Sequence, residues 1–170
     1  YSPTADVFPA SESIRLPRAF DLDNPRNDFR SVNGDFIQDR DYRDWLRLEA
    51  TDEVYAKGFY VHNFNRLVPW SEHFADHPEY FALVNGKRII DQVCPSHPAV
   101  FEIMASRLEK EMASQPDKKV WSVSQNDNFS YCRCPDCART IAEEGAPSGP
   151  IIRLVNRLAA RFPDKIISTL

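Results

Sequence analysis

Three cysteines crowd into the run Cys132-x-Cys134-x-x-Cys137, directly after a strand-like stretch, Val120–Ser124, and the polar tetrad Gln125, Asn126, Asp127 and Asn128. Thiols at this spacing pin the loop that carries them, and a fourth, Cys94 in Gln92-Val-Cys-Pro95, is available to join. Four thiolates satisfy tetrahedral Zn²⁺, and a closed Cys₄ site is structural because no ligand position stays open. Structural zinc held by Cys94, Cys132, Cys134 and Cys137 is therefore the leading expectation. Cys132 and Cys134 are too close for an unstrained bridge to each other. One or two disulfides are the alternative, one of them from Cys94 into the loop, and that reading gains weight in an exported protein. Free thiols are the third reading. No organic cofactor is expected.

A nucleic-acid zinc ribbon would need two such knuckles and a basic surface. This chain has one knuckle, a net charge of -4 and no basic run, so a phosphate-backbone partner is excluded. No apolar run approaches the ~20 residues that span a bilayer. The chain opens on Tyr1-Ser-Pro-Thr, which reads as a processed or excised boundary, so the lack of a signal peptide says little about export.

Around the cysteine loop the sequence alternates strand and helix signals. Asp28–Val32 is a short strand candidate closed by Asn33-Gly34, and Asp41–Leu48 reads as helix. Gly58–Phe64 is β-rich and reads as a strand ending near His62 or Asn63. Leu67–Phe81 is expected to be helical in part, with Pro69 near its start. Phe81–Ile90 is a hairpin, because Asn85-Gly86 supplies the positive φ angles of a tight turn. Pro98–Ala113 is the clearest helix, with Pro98 in its first turn and Phe101, Met104, Ala105, Leu108 and Met112 on one apolar face. Ser148 is expected to cap a second helix with the face Ile151, Leu154, Val155, Leu158 and Phe162. Lys165–Leu170 is a further strand.

Alternation of this kind favours parallel strands with right-handed crossovers. An eight-stranded barrel typically takes about 250 residues, and this chain has 170. The expected fold is α/β: the N-terminal half of a TIM-type (β/α) barrel over residues 28–170, about four β/α units with a small hairpin insertion, after an extended lead-in over 1–27. A small open α/β sheet is the alternative. It would leave one face of the last strand uncovered by a helix, which disfavours it.

In a barrel the carboxyl ends of the strands carry the chemistry. Asn126, Asp127 and Asn128 would stand on that rim after one strand, and His62, Asn63 and Asn65 after an earlier one. An Asp flanked by amides suits a substrate amide or hydroxyls, although an Asx turn that caps itself explains the same residues. His62 is on its own more often structural than a substrate contact. Arg30 ends the first strand candidate, where it would meet either substrate or a carboxylate. His73, His77 and His97 fall at helix ends and read as structural, with His97 a cap beside Pro98.

Several segments together resemble one family. They are Tyr1-Ser-Pro-Thr, Val7-Phe-Pro9 and Ile14-Arg-Leu-Pro17, then Asp28-Phe-Arg30, then His77-Pro-Glu-Tyr-Phe81 with Val84-Asn-Gly-Lys-Arg88 and Gln92-Val-Cys94. The most specific is Ser124-Gln-Asn-Asp-Asn128 with the cysteine run, and Ser148–Phe162 follows it. They resemble the DUF4838-like domain of bacterial glycan-degrading proteins grouped with glycoside hydrolase family 163, similar at a distance to α-glucuronidases and β-hexosaminidases. The resemblance implies a missing N-terminal domain before the lead-in, a catalytic barrel, export in a Bacteroidetes-like bacterium, and endo-β-N-acetylglucosaminidase activity on N-glycans.

It also implies a retaining, substrate-assisted mechanism, with Asp127 as the candidate catalytic carboxylate. The substrate-binding candidates are Arg30, His62, Asn63, Asn65, Asn126 and Asn128, and the general acid would lie beyond Leu170. Two other function classes compete: a carbohydrate-binding or degenerate barrel without turnover, and a zinc-stabilised interaction module.

Overall fold

The structure, a computed structural model, describes residues 29–32 and 35–170 together with Ser13. Apart from Ser13, the lead-in lies outside the described residues, as does the expected boundary at 27/28. The chain divides into two compact units, residues 1–53 and 54–170. Among the described residues no helix is long and apolar enough to cross a membrane.

In the first unit Phe29–Val32 takes no regular strand form. A 3-10 turn (Asp35–Gln38) leads into helix α1 (Arg40–Leu46). Asp39 caps α1 by accepting from the Tyr42 N–H at 2.9 Å, as a short acid at an N-cap should. Helix α2 (Thr51–Val54) follows.

The second unit carries helices α3 (Phe64–Leu67), α4 (Trp70–His73), α5 (Pro98–Ser114), α6 (Pro135–Glu144) and α7 (Gly149–Arg161). Its strands are β1 (Phe81–Val84), β2 (Lys87–Val93), β3 (Val120–Ser122) and β4 (Ile166–Ser168). β1 and β2 form the expected hairpin, Val84 facing Lys87 across Asn85-Gly86. Both turn residues sit at positive φ, 50° and 76°, as a two-residue turn matched to strand twist requires.

β3 pairs in parallel with β4, Val120 to Ile166 and Ser122 to Ser168, across a connection that holds α6 and α7. On its other side β3 meets Tyr55 in a parallel bridge. The expected strand over 58–64 does not form a ladder. Gly58 at φ 81° and His62 at φ 51° break the extended path. The segment still follows β3: Ala56 N–H reaches Val120 O, Ser122 N–H reaches Phe59 O, and Asn63 N–H reaches Ser124 O. A side chain at position 58 would meet only the mobile tip of Arg66, so it is the backbone angle, φ 81°, that calls for glycine there.

Helices α5 and α7 cover one face of this arrangement. Val100, Met104, Leu108 and Met112 of α5 and Ile151, Leu154, Val155 and Leu158 of α7 share a core with Phe59, Phe64, Trp121 and Val123. Each such side chain contributes about 1.5–3 kcal/mol by leaving water. Phe101 is half-buried, under the Arg157 guanidinium at 4.0 Å. Ser122 and Ser124 alternate with Trp121 and Val123, so they occupy the opposite face of the strand; they are buried and bonded to each other at 2.5 Å.

The segment 67–81, expected to be helical in part, holds α4 and a 3-10 turn at Pro78–Tyr80, with α3 ending at its first residue. Pro69 and Pro78 interrupt the hydrogen-bond ladder between them. Ser148 stands at the N-cap of α7 but its side chain makes no capping bond, because its backbone is already helical, with φ -75° and ψ -14°. His97 does cap α5, its Nδ1 accepting from the Ala99 N–H at 3.3 Å.

Candidate functional site

The loop after β3 divides into a rim and a buried half. The rim, Gln125–Asn128, is fixed by one side chain that sequence reading missed. Gln92, buried near the end of β2, takes the Asn126 N–H on its Oε1 at 3.2 Å. Its Nε2 donates to Asn126 O at 2.6 Å and to Asn128 Oδ1 at 3.0 Å. The neighbouring Asp91 carbonyl accepts from Asn126 Nδ2 at 2.7 Å and Asn128 Nδ2 at 3.3 Å. Asn128 Oδ1 also accepts from the Ser130 N–H at 3.0 Å, the Asx turn that residues of this type form.

Asp127 therefore projects from a braced loop, exposed and with no hydrogen-bond partner among the described residues. It shares a hollow of about 490 Å³ with His62, and Gln125, Asn126, Asn128, Phe129 and Leu170 complete the lining. His62 has a left-handed backbone, φ 51°, a conformation that His, Asn and Asp adopt more readily than other non-glycine residues, and its Nδ1 bonds the Gln125 carbonyl at 2.8 Å. Sparse conformations of this kind gather at functional sites.

The other candidates separate. Asn65 stands beside the rim and accepts from Asn126 Nδ2 on its Oδ1 at 3.2 Å. Asn63 points inward: it is buried, donates to Ser122 O at 2.6 Å and accepts from the Ser124 N–H at 3.0 Å. Its amide imitates a strand neighbour and holds the broken 55–63 segment to β3, so both of its polar atoms are engaged in the fold. Arg30 belongs to the first unit, where its guanidinium donates to Leu46 O and Arg47 O at 3.1 and 2.7 Å. A cation on the last carbonyls of α1 is a structural arrangement.

The buried half carries the thiols. Cys134 is the N-cap of α6 and Cys137 lies in its first turn, so the Cys-Pro-Asp-Cys spacing puts two sulfurs on one helix face. Cys94 and Cys132 come from β2's exit and from the loop. All four cysteines are free and buried, and their sulfurs lie within 4.8 Å of one another. Cys94 is 3.6 Å from Cys134 and 3.8 Å from Cys137. The Leu83 N–H points at Cys132 Sγ at 3.3 Å, and the Arg133 N–H joins the Leu83 carbonyl at 2.8 Å. The hairpin thus forms one wall of the cluster.

These separations are far from the ~2.05 Å of a disulfide. The two Cys94 separations, 3.6 and 3.8 Å, match the roughly 3.8 Å between sulfurs set tetrahedrally about an ion at about 2.3 Å. Cys132 is the thiol held lowest, by the neighbouring thiols of Cys137 and Cys94. Cys132 first and then Cys137 push Cys94 up, and Cys132 pushes Cys137 up to about 12. One thiolate is thus easily formed here, and further ones are opposed by like charge in a buried place. A divalent cation reverses that opposition.

Gln125 connects the two halves. It lines the rim hollow and also a narrow void of about 10 Å³ that reaches Cys132 and Cys137.

One family matches the chain over residues 1–170, under the description Domain of unknown function (DUF4838). No curated protein and no solved structure matches it.

Proposed function

The chain belongs to the DUF4838 family, and from that premise we propose that it is part of a glycoside hydrolase catalytic domain acting on N-acetylglucosamine-containing glycans. The observation that carries the reading is the hollow where Asp127, Asn126, Asn128 and His62 converge just past the carboxyl end of parallel strand β3. Carboxyl ends of parallel strands are where α/β folds bind and react. The proposed frame is a partial (β/α) barrel. It is supported by β3 lying between parallel neighbours, with helices on its Trp121 face and small polar side chains on the other.

In a substrate-assisted reaction the oxygen of the substrate's own 2-acetamido group attacks the anomeric carbon as the bond to the leaving oxygen breaks. A carboxylic acid protonates that leaving oxygen. A separate carboxylate accepts the acetamido N–H and stabilises the positive charge that develops on the group. Water then opens the cyclic intermediate with overall retention. Asp127 suits the orienting role, being an exposed carboxylate on a fixed loop with its acceptor atoms open to a ligand. Asn126 and Asn128 hold the loop, and His62 contributes a ring nitrogen to the opposite wall. The reading includes export to the periplasm or cell surface.

In the full-length protein Asp127→Asn is expected to lower glycan cleavage about 10²–10³-fold with an unchanged melting temperature. Near-normal turnover would overturn the assignment. A second reading, glycan binding without turnover, is favoured by one feature: Asp127 is the single carboxylate among the described residues lining the hollow. The wild-type protein separates the two, because one that binds glycan but cleaves nothing supports the binder.

For the thiol cluster we propose a structural Zn²⁺ held by Cys94, Cys132, Cys134 and Cys137. When bound, the metal fixes four thiolates and closes the loop, and it leaves no open position for catalysis.

A further inference from the structure

Phe129 follows the rim tetrad and is 98% exposed, while the other described phenylalanine side chains are buried or half-buried. Its display is not the result of a loose loop. On one side Asn128 is tied to Gln92, Asp91 and the Ser130 N–H. On the other, the Ser130 hydroxyl donates to Asp91 Oδ2 at 3.4 Å. A single exposed apolar ring is ordinary on a protein surface; what sets this one apart is its braced backbone and its place in one hollow with Asp127, Asn128 and His62.

The ring shares its hollow with His62. A carbonyl oxygen only accepts, so the bond from His62 Nδ1 to Gln125 O places the proton on Nδ1. In the neutral ring Nε2 is then an acceptor, and no described residue takes it. The ligand is thus offered an aromatic face, an imidazole acceptor, the Asp127 carboxylate and the amide-rich edge of the loop.

Among the described residues, no Lys or Arg lines the hollow. An acidic sugar, a sulfate or a phosphate would meet Asp127 without a compensating cation. A neutral pyranose matches each group: its C–H face lies on an aromatic ring, and its hydroxyl and amide N–H edges donate to acceptors.

We propose that Phe129 is the stacking platform of a neutral-pyranose subsite in which His62 Nε2 accepts from a sugar hydroxyl or amide N–H. This rests on the reading of the rim as a glycan site, and it assigns the side of the sugar each residue meets and the charge class admitted.

The test uses full-length protein, titrated calorimetrically with chitotriose and with trigalacturonate, and assayed for N-glycan cleavage. Phe129→Ala is expected to weaken chitotriose binding about 10- to 100-fold, the loss of one ring stacked on an aromatic face. Phe129→Trp restores affinity to within about threefold of wild type. His62→Asn keeps a donor for Gln125 O and tolerates the left-handed backbone, yet it removes the Nε2 acceptor and lowers affinity about 5- to 10-fold. Melting temperatures stay at the wild-type value in all three, and trigalacturonate binds more weakly than chitotriose.

Wild-type affinity in Phe129→Ala, while wild type still binds or cleaves, overturns the platform alone. So does a fall of several degrees in its melting temperature, which would mean that protein covers the ring. Tighter binding of trigalacturonate overturns the charge class. A wild-type protein that neither binds chitotriose nor cleaves any glycan overturns the glycan reading and this subsite with it.

Discussion

The two halves of the loop after β3 use similar backbone for opposite ends. Residues 125–130 stay at the surface, held by amide hydrogen bonds, and present Asp127 and Phe129 to water. Residues 131–137 turn inward and bury three cysteines against the hairpin. One strand end serves both: Asp91 and Gln92 brace the rim, and Cys94, two residues on, joins the thiols. The contrast teaches that exposed polar groups can be positioned accurately when the stabilising contacts are placed behind them. The rim's outward acceptors stay open because Gln92 and the Asp91 carbonyl hold Asn126 and Asn128 from behind.

The largest effect is expected on the buried half. Stripping metal with a strong chelator, or Cys94→Ser, should lower the melting temperature by about 10 °C or more, because a structural zinc site contributes folding energy directly. Elemental analysis of untreated protein should return one zinc per chain. Backbone amides over 125–130 should exchange faster in the stripped protein if the shared strand end couples the halves. Metal-free protein with unchanged melting would dissolve that coupling.

Gln92→Leu sharpens the comparison from the other side. It leaves the Asn126 N–H and carbonyl and the Asn128 amide oxygen without their buried partner, at a cost of about 1–3 kcal/mol. Glycan cleavage should fall while zinc content holds at the wild-type level. Equal loss of zinc would mean that the two halves are one unit. The smallest effect belongs to Ser148→Ala. An N-cap serine usually contributes about 1 kcal/mol, but this one makes no capping bond, and denaturant melts should move by less than about 0.5 kcal/mol.

What the sequence made legible follows from the range of the physics involved. The hairpin was readable because Asn85-Gly86 states its turn locally, and α5 and α7 because their apolar positions repeat at 3.6 residues. The four cysteines were readable as a set because few residue types crowd in this way. Helix α6 was not foreseen, because Cys-Pro-Asp-Cys reads first as a metal loop. Pro135 at its first position and Gly145 at φ 72° past its end were the signals that could have found it.

The 58–64 segment misled because its β-rich composition is real while Gly58 and His62 turn the backbone out of register. Asn63 looked like rim and serves as backbone. Gln92 carried no local mark at all, since its partners lie 34 and 36 residues away. Long-range side-chain bonds of that kind appear only once the fold brings them together. On the rim, the sequence grouped Asn126, Asp127 and Asn128 with His62, and all four line one hollow; Phe129, which lines it too, carried no signal in the sequence.

The central claim is that the braced rim acts on a sugar through Asp127. Its most direct test is N-glycan turnover by full-length wild type and Asp127→Asn at matched concentration, each checked by thermal melting. Wild-type cleavage, a variant slower by about 10²–10³-fold and superimposable melting curves are expected. A folded variant that cleaves at the wild-type rate would contradict that claim.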